Sequence, residues 1–175
     1  MTITQNEVHG RKHTSAAAIG ALVALIIACF QGAPRAQNPV APVTYERMVQ
    51  ADKEPGNWLT YSGQYHSQRF SRLDQLNDSN VHELQVKWVR QFNTLARMET
   101  SPLVVDGIMY ATLPHSVVVA MDAKTGLPYW KYEHPLSEQI SVCCGPNTRG
   151  VAILGDTLYL GTLDARLVAL DARTG

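Results

Sequence analysis

The sequence predicts an all-β fold, a partial β-propeller of about two blades, and three observations point to it. From Ser101 onward, short runs rich in β-branched residues alternate with turn dipeptides. The runs recur at a fixed spacing of 49 residues. Each recurrence closes on the same turn, Ala-x-Asp-Ala-x-Thr-Gly. A unit of about 40 to 50 residues holding about four strands is the signature of a propeller blade.

The first unit has runs at Leu103 to Val105, Ile108 to Thr112 and Val117 to Met121, with turns at Asp106-Gly107, Pro114-His115 and Lys124-Thr125-Gly126. The second has runs at Ala152 to Leu154, Thr157 to Thr162 and Leu167 to Leu170, with turns at Gly155-Asp156, Asp164-Ala165 and Arg173-Thr174-Gly175. Without gaps, Tyr110 matches Tyr159, Val119 matches Val168, and Ala120 matches Ala169. Asp122, Ala123, Thr125 and Gly126 match Asp171, Ala172, Thr174 and Gly175. Asp and Gly suit a tight turn, and Thr can hydrogen-bond its backbone. The first unit continues Leu127-Pro128-Tyr129-Trp130, and Trp130 is expected to pack its indole between neighbouring blades. Two blades cannot close a ring. The expectation is therefore a piece of a larger propeller, with further repeats and a Trp near the fourth position beyond Gly175.

Three segments divide the chain: 1–36, 37–57 and 58–175. In the first, Arg11, Lys12 and His13 precede an apolar run from Ala16 to Phe30 and then small residues up to Ala36, the order of a secretory signal. The apolar run is about 15 residues, short for a membrane span of about 20. Export to the periplasm is the expectation. A retained anchor, or acylation of Cys29 after Ile26-Ile27-Ala28, would leave the protein membrane-associated. In the second segment a Pro-rich linker leads to a short helix from Thr44 to Ala51, Thr44 its cap and Tyr45, Met48 and Val49 its apolar stripe. Further on, Ser79 to Leu84 predicts another short helix capped by Asp78 or Ser79. Gln85 to Phe92, with Val86 and Trp88 alternating, predicts a strand.

Lys plus Arg equals Asp plus Glu at 15 each, which excludes the basic stripe of a nucleic-acid binder. No phosphate-cradling, dinucleotide-binding or Ser-nucleophile motif is present. His66, His82, His115 and His134 lack metal-ligand spacing and are read as surface or packing residues.

Without Cys29, two cysteines remain, the adjacent Cys143 and Cys144. Adjacent Cα atoms are about 3.8 Å apart, closer than the roughly 4.4–6.8 Å of ordinary disulfides. The pair is either a strained ring of the kind tolerated at functional sites, two free thiols, or two cysteines bonded elsewhere. It opens the stretch Cys143-Cys144-Gly145-Pro146-Asn147-Thr148-Arg149-Gly150 between the two units.

With this stretch the chain resembles the quinoprotein (pyrroloquinoline quinone-dependent) alcohol and methanol dehydrogenases from about Trp58 to Gly175. Trp58-Leu59-Thr60-Tyr61-Ser62-Gly63 and Tyr65-His66-Ser67-Gln68-Arg69-Phe70-Ser71 resemble that family's opening motif. Leu73-Asp74-Gln75-Leu76-Asn77, Leu84-Gln85-Val86-Lys87-Trp88 and Glu99-Thr100-Ser101-Pro102-Leu103-Val104-Val105-Asp106-Gly107 continue it, the last as the first inner strand.

The resemblance implies an eight-bladed propeller with pyrroloquinoline quinone (PQQ) on its axis. It implies that Cys143 and Cys144 form a vicinal disulfide against one face of the quinone, that Arg149 pairs with its oxygens or carboxylate, and that Glu99 touches it from the inner strand. Thr162 could face the axis or be an ordinary cross-strand Thr. The parent would be a periplasmic enzyme oxidising small alcohols to aldehydes or ketones. It would need Ca²⁺ or a lanthanide, whose ligands lie outside this chain, and would pass electrons to cytochrome c or membrane quinone. The other quinone face and the catalytic base also lie outside, so the stretch alone is expected to be inactive. The alternative is a non-catalytic propeller scaffold such as an outer-membrane assembly lipoprotein anchored through Cys29.

Overall fold

The computed structural model describes residues 40–137 and 139–175. The signal-like segment, Cys29 and the start of the linker lie outside the described residues. Among the described residues, seven strands form two antiparallel meanders. The first sheet comprises β1 (Leu103–Val105), β2 (Ile108–Leu113), β3 (Val117–Asp122) and β4 (Pro128–Glu133) in sequence order. The second comprises β5 (Ala152–Leu154), β6 (Thr157–Gly161) and β7 (Leu167–Asp171), also in order.

The 49-residue repeat in sequence is a repeat in register. Leu103 faces Tyr110 and Ala152 faces Tyr159. Tyr110 faces Ala120 and Tyr159 faces Ala169, while Ile108 faces Asp122 and Thr157 faces Asp171. The repeated turn explains the repeated Asp and Gly. Asp122 accepts from the N–H groups of Lys124 (3.0 Å) and Thr125 (2.9 Å), and Asp171 from those of Arg173 (2.8 Å) and Thr174 (2.9 Å). Gly126 (φ 68°) and Gly175 (φ 77°) end the turns left-handed, a region that suits glycine.

Both turn glycines also carry a tryptophan. A Cβ on Gly126 would lie 2.5 Å from the ring of Trp88, and one on Gly175 would lie 2.6 Å from Trp130. The indole N–H of Trp88 donates to the Ala123 carbonyl (3.2 Å), and that of Trp130 to the Ala172 carbonyl (3.1 Å). Trp130, on β4, thus lies against the turn that closes the second sheet, as the sequence predicts. The buried Tyr110 hydroxyl donates to the same Ala172 carbonyl (3.1 Å). Leu103, Val105, Ile108, Tyr110 and Val118 from one sheet join Ile153, Leu158, Leu160 and Leu170 from the other in a single core.

The segment before the sheets is stitched to both. Val43 exchanges hydrogen bonds with Gly155 (3.0 and 2.8 Å), and Trp58 with Val104 (2.8 and 3.0 Å). Between them, Thr44 caps helix α1 (Tyr45–Val49) by accepting from the Arg47 N–H, followed by a 3-10 turn at Ala51–Lys53. Only Met48 of the expected stripe is buried; Tyr45 and Val49 are exposed, because one and a half helical turns bury one position against the sheets. Arg47 clasps Glu54 with two donors and Asp106 with a third, and Asn57 donates to both carboxylates.

Three local expectations are corrected. Gln85 to Phe92 is extended but forms no ladder, with Val86 and Val89 exposed, because no strand lies beside it among the described residues. Residues 79–84 contain a single 3-10 turn, Val81–Glu83, whose Asn80 makes no side-chain capping bond but accepts from the Asn77 N–H; the Asn77 side chain accepts from the Ser79 N–H. Thr162 lies just past β6, not on it.

A β-carbon at Gly126 would displace Trp88 and force a side chain into positive φ. Gly126→Ala is expected to cost about 1–3 kcal/mol, measurable as a lower urea midpoint with unchanged slope.

The Arg47 clasp sets an acid limit. Its hydrogen bonds hold Glu54 below the usual carboxyl range. Burial pushes Asp106 up, but bonds from Arg47 and the Ala41 N–H outweigh it and hold Asp106 low as well. Stability from carboxylates with lowered folded values is complete above about pH 4 and is lost as pH falls through those values. Asp106→Asn is therefore expected to lower the unfolding midpoint at pH 7, with the gap to the parent narrowing toward pH 3.

Candidate functional site

The loop from β4 to β5 carries Cys143, Cys144 and Arg149, and backbone groups hold it to the first sheet. Thr112 of β2 is fully buried; its hydroxyl donates to the Thr148 carbonyl (2.6 Å), while its N–H donates to Thr100 Oγ1 (3.0 Å). The Ser101 N–H donates to the Arg149 carbonyl (3.0 Å), and the His115 N–H to that of Pro146 (2.9 Å). Gly150 permits the closest approach: at φ 143° its Cβ position is 3.0 Å from the Ser101 carbonyl oxygen. A buried hydroxyl and two backbone bonds thus fix the chain around the Arg149 side chain. The Asn147 side chain donates to the Cys144 carbonyl (3.0 Å), shaping the turn after the cysteines.

Arg149 and Glu99 form an ion pair (3.1 Å) with the guanidinium 69% exposed. So exposed a pair adds little stability, and the fork keeps N–H groups free for another partner. Cys143 and Cys144 are exposed thiols with their sulfurs 3.0 Å apart. The Cys144 thiol is pushed up, first by its contact with Cys143, then by burial and by Glu99, with Arg149 pulling the other way. The structure therefore brings Glu99, Cys143, Cys144 and Arg149 into one electrostatic neighbourhood. Glu99 reaches it from irregular backbone four residues before β1, not from the strand itself. Beneath them, Thr148 Oγ1 and Asn147 Oδ1 are buried with no hydrogen-bond partner among the described residues, an arrangement that native structures seldom leave unanswered.

Thr162 belongs to another cluster. Its hydroxyl bonds Asp164 and the Arg166 backbone. Asp164 meets His134 Nε2 (3.0 Å), and the other ring nitrogen of His134 meets the Tyr132 hydroxyl (3.1 Å). The Asp164 carboxyl is held low, chiefly by Thr162 and then by His134. His134 is thus a packed residue, with its side chain 7% exposed, linking the end of β4 to the β6–β7 turn. No spacing in the sequence announces this contact across thirty residues. It borders a cavity of about 780 Å³ that runs beside the cysteine loop past Val142, Gly145 and Leu163.

Comparison with known proteins covers the same stretch. The family model described as glucose/ethanol/alcohol dehydrogenase, beta-propeller domain (PQQ), matches residues 58–175. The dehydrogenase subunit of the quinone alcohol dehydrogenase of Gluconacetobacter polyoxogenes is 45% identical over 134 residues, 75% of this chain and 18% of the relative. Quinohemoprotein alcohol dehydrogenase ADH-IIG of Pseudomonas putida is 41% identical over 158 residues, 88% of this chain and 22% of the relative. The solved ADH-IIG structure superposes with a TM-score of 0.72, at 41% identity, over 79% of this chain and 21% of its own. A europium-containing methanol dehydrogenase superposes at 0.69, with 32% identity, over 74% of this chain and 23% of its own. The chain therefore spans about a fifth of the length of these relatives. Two sheets in one register, a tryptophan seated on each turn glycine, and a family match over both of them place the chain in the PQQ-type β-propeller family of glucose, ethanol and alcohol dehydrogenases.

Proposed function

We propose that this chain forms one wall of the cofactor site of a PQQ-dependent alcohol dehydrogenase working in the periplasm. The observation that carries this reading is the Glu99–Arg149 pair beside two adjacent cysteines, all exposed on one loop side of the sheets. The donor set suits a planar, polycarboxylated quinone. Arg149 offers an unfilled planar fork, which meets carboxylates bidentately. Glu99 restrains the guanidinium and sets its direction. Thr148 Oγ1 and Asn147 Oδ1 are spare polar atoms in the same loop. In an oxidising compartment, Cys143 and Cys144 would close into a vicinal disulfide, a rigid and apolar face for a flat ring.

When bound, PQQ supplies a two-electron oxidant that takes hydride from an alcohol carbon. The residues of this chain bind and orient. Arg149 holds negative charge at the ring edge, the cysteine pair shields one face from water, and the bonds from Ser101 and Thr112 prevent either from shifting. Ca²⁺ or a lanthanide would be held by other residues of the whole protein, and cytochrome c or membrane quinone would take the electrons.

Expressed from its entire reading frame and supplied with PQQ and Ca²⁺, the protein is expected to take up the quinone and reduce dye when given an alcohol. Absence of quinone uptake would overturn the reading in favour of a propeller scaffold. Arg149→Met is expected to weaken PQQ binding about tenfold or more. Alkylation of unreduced periplasmic protein should leave Cys143 and Cys144 unlabelled; two labelled thiols there would remove the disulfide wall.

A further inference from the structure

The segment that enters the first sheet at Trp58 turns back at Gly63, whose N–H donates to the Thr60 carbonyl (2.9 Å). The turn brings the Tyr61 ring within 4.0 Å of the Cβ position of Gly150, next to Arg149 in sequence. The Arg69 guanidinium lies over that ring, 5.1 Å from its centre. It is held there by backbone that side chains seldom adopt, since Ser67 and Arg69 both have φ 54° without being glycine. Such conformations persist where the surroundings enforce them, and they cluster at ligand clamps.

Arg69 differs from the other arginines that cluster with acids. Arg47, Arg72, Arg149 and Arg166 each meet a carboxylate, whereas among the described residues Arg69 has none within ion-pair distance. Its charge stands beside an open cavity of about 370 Å³ lined by Tyr61, Arg69, Thr100, Ser101 and the apolar Trp58 and Val104. The Arg149 charge also acts on the same phenol. The Tyr61 hydroxyl is held below its usual range, first by Ser101 and Arg69 through hydrogen bonds, with Arg149 adding to it. Positive potential therefore converges on Tyr61 and Ser101, and only Arg149 carries a counter-charge, Glu99.

We propose that Arg69 is a second cationic anchor for the anionic ligand that Arg149 receives, meeting a further ring carboxylate from the Tyr61 side of Ser101. This rests on the PQQ reading given above. One guanidinium can fork one carboxylate, and Arg149 already shares its charge with Glu99, so a planar polycarboxylate needs another cation. A guanidinium has five N–H donors, so an Arg69 placed over Tyr61 and bonded to its hydroxyl still has others to donate. Thr100 and Ser101 line the cavity beside Arg69, and the Ser101 N–H bonds the Arg149 carbonyl.

The test uses the protein from its entire reading frame, loaded with Ca²⁺ and titrated with PQQ or with the trimethyl ester of PQQ while tryptophan fluorescence is followed. Arg69→Met is expected to weaken PQQ at least tenfold, Arg69→Lys to recover part of the loss, and the uncharged ester to bind parent and Arg69→Met alike. Arg69 is exposed and, among the described residues, without an acidic partner, so an unchanged melting curve should accompany the loss. PQQ affinity within twofold of the parent in Arg69→Met, alongside a loss in Arg149→Met, would overturn the second anchor and leave the cofactor reading standing. A parent protein that binds no PQQ would bring down both. An equal loss for PQQ and its ester would also overturn the proposal, because the effect would not lie in the carboxylates.

Discussion

One carbonyl oxygen joins the two sheets. The Ala172 carbonyl accepts from the Trp130 indole and from the Tyr110 hydroxyl, both at 3.1 Å and both from the first sheet. Gly175 leaves the space into which the Trp130 indole settles. Directional bonds thus fix the alignment of surfaces that the apolar core alone would leave free to slide, since burial is not directional. Burial pushes the Tyr110 hydroxyl well above its usual range, which favours its protonated, donating form.

The site inherits this alignment. Thr112 sits on β2, one strand in from the edge, and grips the Thr148 carbonyl; Ser101 grips that of Arg149. The loop bearing the cysteines leaves from β4 and returns at β5, so its two ends are as well placed relative to each other as the sheets are. The Val43 and Trp58 bridges and the Arg47 clasp brace the opposite approach.

The strands and their turns were legible in the sequence because they are local and because they occur twice. Asp122 and Asp171, or Tyr110 and Tyr159, announce themselves by recurrence, and the structure gives the members of each pair equivalent positions in the ladder. The fourth strand of the first sheet is harder to see: Pro128–Glu133 buries no residue fully and has no alternating apolar face. Gln85 to Phe92 has a strand-like pattern, but a ladder needs a neighbour as well as a propensity. The adjacent cysteines and Arg149 were legible as a motif, whereas the ion pair with Glu99 spans fifty residues and the His134–Asp164 contact spans thirty. Nor does any pattern reveal that Arg69 reaches Tyr61, because the left-handed backbone at Ser67 and Arg69 runs against both residues' preferences.

The antiparallel meanders sort the connections between two rims. The Asp106-Gly107, Asp122–Gly126, Gly155-Asp156 and Asp171–Gly175 turns share one rim, where each residue is committed to a hydrogen bond or to making room for an indole. The β2–β3 turn, the cysteine loop and the β6–β7 turn share the other, along with Glu99 and Arg149. Architecture and chemistry are thereby placed at opposite ends of the same strands. A chain organised in this way can be remodelled on its chemical rim, in loop length or in polarity, while the scaffold that holds the loops keeps its shape.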